Sequence, residues 1–408
     1  MNIYVLGINF HPEPIGISVY TTEMCEYFKK TGHAVTLFTA FPYYPGWHIE
    51  DNYRGKLFLK ENYKGVVVRR SYVYVPENVT TKTRILHELS FIVSSFINLL
   101  LSEKPDVLIV VSPPLGLGLV AYIISRIKNV PLVFHIQDLQ PDASVKLGMI
   151  KQNKLIKVLY KVERFIYKNA DIISVLSKSM KERVILKGIP ERKIVVFPNW
   201  VDVDFIKPLQ GNNKFKEMYS LSDKFIVLYS GNIGVKQGLE LILKVADNMK
   251  QYKDILFLIV GDGARKKLLV EESKKMNLVS IKFLPPQTKE VLPELLSSAD
   301  ISVVVQKASV TDFVVPSKLL GILASGKCVV VSANKESEAS QLIKSADCGL
   351  VVEPEDSEGF KNAILELYGS ENKRIKYGSN GRDYVGKNFE KNKILGEFEK
   401  KLVQLIKN

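Results

Sequence analysis

Short runs of apolar residues, each followed by a glycine-containing loop and then by a helix, recur along the whole chain. The first run is Ile3–Ile8, which leads into a loop containing Gly16, a helix over Val19–Lys30 and a second strand at Ala34–Thr39. Buried strands that alternate with helices predict a parallel sheet with helices on both faces. The sequence therefore predicts an α/β protein whose ligands bind beyond the carboxyl ends of the strands.

This plan occurs twice, and 408 residues are enough for two domains. In the first half we predict further strands at Gly65–Arg70, Val107–Val111, Leu132–Ile136, Ile172–Leu176 and Ile194–Phe197. In the second half we predict strands at Phe225–Tyr229, Ile255–Val260, Ile281–Leu284, Ile301–Val305 and Val329–Val331. We therefore expect two doubly wound domains, residues 1–200 and 201–385, with a cleft between them. A C-terminal helix, residues 386–408, should pack back on the first domain.

The charge balance and the cysteine content limit the class of protein. Lys and Arg number 57 against 43 Asp and Glu, so the net charge of +14 favours a polyanionic partner: a phosphate group, an anionic membrane or nucleic acid. The basic residues are scattered and form no recognised nucleic-acid-binding module, so we expect no nucleic-acid partner. The three cysteines lie far apart and the first ten residues form a strand rather than a signal peptide, which predicts a cytoplasmic protein.

The segment DFVVPSKLLGILASGKCVVV, residues 312–331, predicts a loop, a short helix and a buried strand. Pro316 suits the first helical position, and Ser317 and Lys318 then place a hydroxyl and a cation in the first turn. Free amides and the helix dipole make such an end an anion site. The segment is therefore either a seat for a diphosphate or an ordinary helix start with a surface lysine.

A second glycine-rich loop follows the strand at Phe225–Tyr229. In SGNIGVKQGL, residues 230–239, Gly231 frees the backbone and Lys236 supplies charge; Gly261 begins a similar turn, GDGA, after the next strand. Such turns can form anion-binding nests of amide groups. The alternative is a glycine-rich turn with a solvent-exposed lysine.

Two segments bear on membrane contact. Residues 89–101, LSFIVSSFINLLL, are apolar but too short to cross a bilayer, which predicts a core or interfacial helix. Residues 151–168 predict a helix with a basic stripe and an apolar stripe, comprising Lys154, Lys157, Lys161, Arg164 and Lys168, and Leu155, Leu159, Val162 and Ile166. The basic stripe is either a solvated face or a contact for an anionic membrane surface.

Seven motifs in order carry a family resemblance: GINFHPEPIGISVYT (7–21), FPYYPGW (41–47), HIQDLQPDA (135–143), FPNWVD (197–202), YSGNIGVKQGLE (229–240), VGDG (260–263) and VVQKASVTDFVVPSKL (304–319). Over nearly its whole length the chain resembles the retaining GT-B glycosyltransferases of family 4. It is most similar to bacterial colanic-acid-type and O-antigen transferases for L-fucose or N-acetyl-L-fucosamine.

The resemblance implies a GT-B fold, with a UDP- or GDP-linked sugar held mainly by the second domain and the acceptor mainly by the first. It implies a lipid-linked saccharide as acceptor in capsule, O-antigen or exopolysaccharide synthesis, and a peripheral location on the inner face of the plasma membrane. No cofactor and no metal are expected. Retention is attributed to front-face attack, with the donor phosphate helping to take the acceptor proton.

The resemblance and the charge requirements of the reaction together give the candidate site residues. Because negative charge develops on the leaving phosphate, cations and amides directed at that phosphate should contribute most to stabilising the transition state. The catalytic candidates are Lys318, Asp138, Glu13 and His135, although His135 equally suits a core histidine at a strand end. The candidates for donor binding are Gly16, Gly231, Asn232, Lys236, Gln237, Gly261, Lys307, Asp312, Pro316 and Ser317.

The chain departs from the family pattern at four positions. Most members carry two glutamates where this chain has Phe313 and Gly321, and the second normally holds the ribose, so we expect Asp312 to substitute. Asn232 and Gln237 stand where many members have arginine and lysine. Two other classes of enzyme share this fold. A phosphorylase should carry a pyridoxal-lysine region, which this sequence does not show, whereas a nucleotide-sugar epimerase stays open as an alternative.

Overall fold

The computed structural model describes residues 1–14, 16–142, 154–209, 211, 213–309 and 315–407, with the side chains of Lys154 and Leu155 left out. The chain forms two compact units. The first contains Met1–Pro198 and Asn392–Asn408, and the second contains Asn199–Lys391. The C-terminal helix thus belongs to the first unit.

The first unit is built on an eight-stranded sheet in the order β3-β4-β2-β1-β5-β6-β7-β8. Its strands are β1 (Asn2–Leu6), β2 (Ala34–Ala40), β3 (Phe58–Tyr63), β4 (Val66–Ser71), β5 (Val107–Ser112), β6 (Leu132–Ile136), β7 (Ile172–Val175) and β8 (Ile194–Val196). All pairs are parallel except β3 with β4. The sheet grows in one direction through β2 and in the other through β5, so the order reverses between β1 and β5.

Six helices of at least nine residues accompany this sheet within the described residues. They are α1 (Gly16–Lys30), α2 (Thr81–Leu100), α3 (Leu117–Lys128), α4 (Lys154–Asn169), α5 (Lys178–Leu186) and, from the end of the chain, α14 (Lys391–Lys407). Because strand crossovers are right-handed, the reversal of strand order places α1 on one face and α2, α3 and α4 on the other. Helix α14 packs on the α1 side, where Tyr27 donates to Glu399 and His33 contacts the same carboxylate.

The second unit contains a six-stranded parallel sheet in the order β11-β10-β9-β12-β13-β14. Its strands are β9 (Phe225–Ser230), β10 (Ile255–Val260), β11 (Ile281–Leu284), β12 (Ile301–Val305), β13 (Val329–Ser332) and β14 (Gly349–Val352). Its helices are α6 (Lys214–Met218), α7 (Glu240–Asn248), α8 (Lys266–Lys275), α9 (Leu292–Ser297), α10 (Ser317–Ala324), α11 (Glu338–Ala346), α12 (Ser357–Tyr368) and α13 (Glu371–Asn388).

Each face of the second sheet has its own apolar core. Val227 and Tyr229 lie in one cluster, whereas Ile226 and Leu228, their neighbours on β9, lie in the other. Successive side chains of a strand point to opposite faces, so an uninterrupted apolar strand fills both cores. This explains why continuous apolar runs in the sequence marked the central strands correctly.

The sequence missed two strands and misplaced three helix starts. Helix α1 begins at Gly16 rather than at Val19, and α14 begins at Lys391 rather than at residue 386. Strand β3 alternates exposed and half-buried residues at an antiparallel edge, so it lacks the apolar run of a central strand. Strand β14 lies at the other sheet's edge and is only half-buried. Pro316 was expected at the first helical position of α10 but occupies the N-cap, so the helix begins at Ser317. Among the described helices, none is long and apolar enough to cross a membrane.

Candidate active site

The second unit has its strand-order reversal between β9 and β12, and the best candidate site of that unit lies at their carboxyl ends. In open parallel sheets, ligands bind at this switch point because the flanking loops separate there to opposite faces. The loop after β9 is residues 231–239. The segment after β12 is described only to residue 309 and from 315 onward, so Asp312 and Phe313 lie outside the described residues.

Glycine is required where the loops after β9 and β10 meet. A Cβ on Gly261 would lie 1.9 Å from the carbonyl oxygen of Gly231, and one on Gly263 would lie 2.4 Å from that of Ile233. Gly261 and Gly263 also have φ of +152°, a backbone conformation that side-chain-bearing residues rarely adopt. The two loops therefore pack backbone against backbone, which fixes the end of β9.

Several amides of this loop are already used inside the protein. Gly231 donates to Val260 O at 3.0 Å and Ile233 donates to Asp262 O at 2.7 Å. Gly234 donates to Oε1 of Gln237 at 3.1 Å. These three amides cannot serve an anion-binding nest while those bonds persist, so the nest predicted from sequence cannot be built on them.

Lys318 is brought to the end of β9 by the first turn of α10. Its Nζ lies 3.2 Å from the hydroxyl oxygen of Tyr229 and 4.3 Å from the centre of that ring. The Tyr229 hydroxyl donates in turn to Asn232 O at 2.6 Å. Burial raises the pKa of Tyr229, so the phenol stays neutral and accepts from the ammonium. Lys318 is half-buried, and its stem passes near Gly231, where a Cβ would lie 3.6 Å from Cδ.

Lys236 and Lys307 lie close together because their backbones are hydrogen-bonded to each other. Lys307 donates its amide to Lys236 O at 3.0 Å, and the Lys307 stem crosses Gly238, whose φ is +61°. Burial raises the pKa of Glu240, but its own backbone amide and Arg265 lower it by more, so the carboxylate is charged beside these lysines. The structure therefore places Lys236 and Lys307 on the loops that follow β9 and β12, and Lys318 on the first turn of α10.

Gly321, where the family resemblance leads one to expect a glutamate, is half-buried and has apolar neighbours. A Cβ at this position would lie 3.5 Å from Leu296 and 3.7 Å from Ile206, both in the apolar core. A carboxylate there would enter apolar surroundings unless its side chain turned away. Ser317, one turn earlier, is exposed.

Glu13 in the first unit ties the loop after β1 to the loop after β2. Its Oε1 accepts from the amides of Tyr43 at 3.0 Å and Tyr44 at 2.9 Å, and its Oε2 accepts from Asn9 Nδ2 at 2.8 Å. Burial raises the pKa of Glu13, while these hydrogen bonds oppose the rise. Both oxygens are engaged by protein donors, so the geometry supports a positioning role, and direct contact with a substrate stays a prediction.

His135 lies inside the sheet on β6 and is 3% exposed. Gln137 Nε2 lies 2.7 Å from Nε2, so Nδ1 carries the proton and donates to Ser174 Oγ at 2.9 Å. Burial lowers the pKa of His135 to about 3, so the ring stays neutral. This environment is that of the core histidine considered as the alternative from the sequence, and a catalytic role stays a prediction.

Asp138 and Gly16 are the exposed candidates of the first unit. Asp138 follows β6 by two residues, and Gly16 begins α1. No atom lies within 4 Å of a Cβ built on Gly16, so packing does not demand glycine there. Open space above the first turn is compatible with the predicted approach of a phosphate to the backbone.

One cluster near the Asp138 loop was missed by sequence reasoning. Lys187 Nζ lies 2.6 Å from both Asp142 and the buried Glu163, and Tyr160 donates to Asp142 at 3.0 Å. Asp142 belongs to the HIQDLQPDA motif, so this ion network anchors the segment that carries Asp138. The partners are 18 to 45 residues away in sequence, so no local pattern reveals them.

Two family descriptions match the chain. Residues 16–200 match the Glycosyl transferase 4-like domain, and residues 212–384 match Glycosyl transferases group 1. A protein of Escherichia coli (strain K12) named as the colanic acid biosynthesis glycosyl transferase WcaI is 35% identical, and the match covers 98% of each chain. The chain belongs to this glycosyltransferase family.

Solved structures give the fold of this glycosyltransferase. Sucrose-phosphate synthase from Thermosynechococcus elongatus superposes with a TM-score of 0.77 at 18% identity, covering 99% of this chain and 98% of that one. HepE from Anabaena, solved in complex with UDP, superposes with a TM-score of 0.73 at 16% identity, covering 99% of this chain and 100% of that one. The predicted GT-B class, with two parallel-sheet α/β domains, is confirmed.

Proposed function

We propose that this glycosyltransferase moves a sugar from a UDP- or GDP-linked donor to a lipid-linked saccharide during assembly of a bacterial polysaccharide. The observation that carries the proposal is Lys318, a half-buried cation held by Tyr229 at the switch point of the second sheet. The relative WcaI is named for colanic acid biosynthesis, and HepE was solved with UDP, which supports a polysaccharide product and a nucleotide-linked donor.

The reaction breaks the bond between the anomeric carbon and the phosphate oxygen and forms a bond to an acceptor hydroxyl oxygen. The hydroxyl proton passes to the leaving nucleoside diphosphate, so charge and atoms balance. Lys318, Lys236 and Lys307 provide fixed positive charge for that leaving group, which is where preorganised electrostatics lower a barrier most. We propose front-face attack with retention of configuration and no metal, and L-fucose or N-acetyl-L-fucosamine as the first sugars to test.

We also propose that α4 contacts an anionic membrane from which the lipid-linked acceptor is taken. Lys157, Lys161, Arg164 and Lys168 are all exposed on its outer face. The buried face differs from the predicted stripe: it includes Ile156, Glu163, Ile166 and Tyr167, whereas Leu159 and Val162 are half-buried. The basic stripe is therefore available to anionic headgroups.

A two-substrate assay tests the chemistry. The purified protein is incubated with a panel of UDP- and GDP-linked sugars, with and without a lipid-diphosphate-linked saccharide, and the products are identified by mass spectrometry. Transfer requires both substrates and releases a nucleoside diphosphate. An isomerised sugar nucleotide formed without any acceptor would instead identify an epimerase, which the relatives, named as glycosyltransferases, do not favour.

A further inference from the structure

Helix α2 buries several polar side chains and exposes a row of apolar ones. On its inner face, His87, Ser94 and Asn98 are buried beside Phe91 and Leu99. His87 Nδ1 donates to Tyr74 O at 2.6 Å, Ser94 donates to Tyr72 O, and Asn98 donates to Ser71 Oγ at 2.9 Å. A surface helix of a globular protein normally confines its large apolar side chains to the side that faces the core.

The outer face of α2 is a continuous row of large apolar side chains. They recur every three or four residues, so they share one side of the helix. Their exposed fractions lie between 40% and 59%, and they are Leu86, Leu89, Val93, Ile97 and Leu100. Leu101, the next residue, is 75% exposed, and the exposed Ile123 and Ile127 extend the surface onto α3. We call these eight residues the apolar face; such a contiguous patch usually marks a contact surface.

The charge around the apolar face is strongly positive. Helices α2, α3 and α4 lie side by side, and together they carry nine Lys and Arg residues but only two glutamates. One of these, Glu163, is buried. No charged residue occurs between Leu89 and Ser102. The exposed rings of Tyr72 and Tyr74 lie along α2, and tyrosine is a residue that favours the boundary between water and lipid.

We infer that the apolar face enters the boundary between headgroups and acyl chains of an anionic bilayer, with α2 lying in the membrane plane. Moving apolar side chains out of water lowers the free energy, and the surrounding cations attract anionic headgroups. A second copy of the chain fits this surface less well, because two equally basic faces would repel each other. The inference goes beyond the basic stripe of α4, since burial of apolar area is not screened by salt.

Replacing three residues of the apolar face tests the inference without catalysis. Leu89, Val93 and Ile97 are changed together to Gln, which keeps helix propensity high. The matched control changes to Gln three apolar residues elsewhere that are even more exposed, Leu186, Met218 and Val279. Partitioning onto phosphatidylglycerol-containing vesicles should fall roughly 100-fold in the first variant, because about three partly inserted side chains are lost. The control variant should partition like the wild type, and circular dichroism should show both folded.

A fluorescent label gives an independent measurement. The native cysteines Cys25, Cys328 and Cys348 are buried, so a new surface cysteine can be labelled selectively. An environment-sensitive dye on Val93→Cys should shift to the blue when anionic vesicles are added, including at high salt. The same dye on Val279→Cys, which is also exposed and lies in the other unit, should not shift.

Three results would overturn the inference. The first is equal vesicle binding by the triple Gln variant and the wild type, and the second is an unchanged dye spectrum at position 93. The third is a wild-type dimer in sedimentation that the triple variant converts to a monomer, which would make the apolar face an interface between copies. The inference rests on the proposed function in one respect, that the membrane contact brings the enzyme to a lipid-linked acceptor. Thermal-shift titration with nucleotide sugars tests that function separately, through the second unit.

Discussion

At the scale of single residues, Lys318 carries the sharpest prediction. Lys318→Met removes a charge beside Tyr229 but keeps the stem that passes Gly231. We expect kcat to fall by about 100- to 1,000-fold, the size of effect seen when one group that stabilises developing negative charge is removed. Steady-state kinetics with the donor identified by the two-substrate assay measures this.

Lys267→Met is the control for Lys318. Lys267 is an exposed lysine on α8 of the same unit, so its loss changes the net charge equally without touching the loop after β9. Its kcat should equal that of the wild type. Near-normal turnover in Lys318→Met would exclude a role for Lys318 in stabilising the leaving group.

Glu13 gives a prediction on pH. Burial raises its pKa in the folded protein, so the folded state binds its proton more tightly than the unfolded state does. Stability from this group is therefore greatest below the unfolded pKa and is lost as pH rises through the folded pKa. Glu13→Gln removes this titration, so the wild type should lose stability relative to the variant as pH rises above about 4.5.

Urea unfolding at several pH values measures the difference for Glu13. Trp47, whose ring lies 5.5 Å from that of Tyr43, reports the region by fluorescence. A difference between wild type and variant that does not change with pH would show that Glu13 does not titrate differently on folding. The same would follow if the wild type gained stability relative to the variant as pH rose.

At the scale of elements, glycine decides whether the loops after β9 and β10 can meet. Gly261→Ala places a Cβ 1.9 Å from Gly231 O in a backbone conformation with positive φ. Either the loops separate or the end of β9 moves, at a cost on the order of 3 kcal/mol or more. We expect a clearly lower melting temperature and loss of nucleotide binding. Gly16→Ala, with open space around its Cβ, should melt like the wild type.

The basic stripe of α4 should bind membranes in a salt-dependent way. Changing Lys157, Lys161 and Arg164 to Gln should weaken binding to anionic vesicles by roughly 100-fold at low salt, at about 1 kcal/mol per charge. Vesicle co-sedimentation across a salt series measures this. The difference from the wild type should shrink as salt rises, and equal binding at low salt would leave the stripe as a solvated face.

At the scale of the whole molecule, we predict that transfer proceeds in EDTA. Within the described ranges, no three His, Cys, Asp or Glu side chains are grouped so that they could hold a metal ion. The cations at the candidate site of the second unit are instead Lys236, Lys307 and Lys318. Product formation in the two-substrate assay should be the same with and without the chelator. Activity that EDTA abolishes and magnesium or manganese restores would contradict the metal-free mechanism.

The sequence by itself determined where the central strands lie. Strands β6, β10 and β12 were predicted with the observed bounds, because a strand buried on both faces must be apolar throughout. A half-buried edge strand has no such requirement, so β3 and β14 were missed. The edge strand β11 was found because three of its four residues, Ile281, Phe283 and Leu284, are apolar.

The sequence also named the residues that meet at the end of β9, but not how they meet. Lys318 lies 89 residues from Tyr229, and the contact between them depends on β12 pairing beside β9. Likewise, the glycine turns suggested free amides, whereas the packing of one loop on the next uses several of them.

Only the tertiary structure decided which side of a helix faces water. The apolar run at residues 89–101 fits a core helix equally well. Only Phe91 and Leu99 of its large apolar side chains proved to be fully buried, and they share the inner side with His87, Ser94 and Asn98. His87 and Ser94 donate to the carbonyl oxygens of Tyr74 and Tyr72, in the segment that follows β4. Polar side chains are therefore needed on this side of the helix, since buried acceptors must find hydrogen-bond donors. Helical periodicity gives the faces of a helix, but the neighbours that satisfy or cover each face are set by residues far away in the chain.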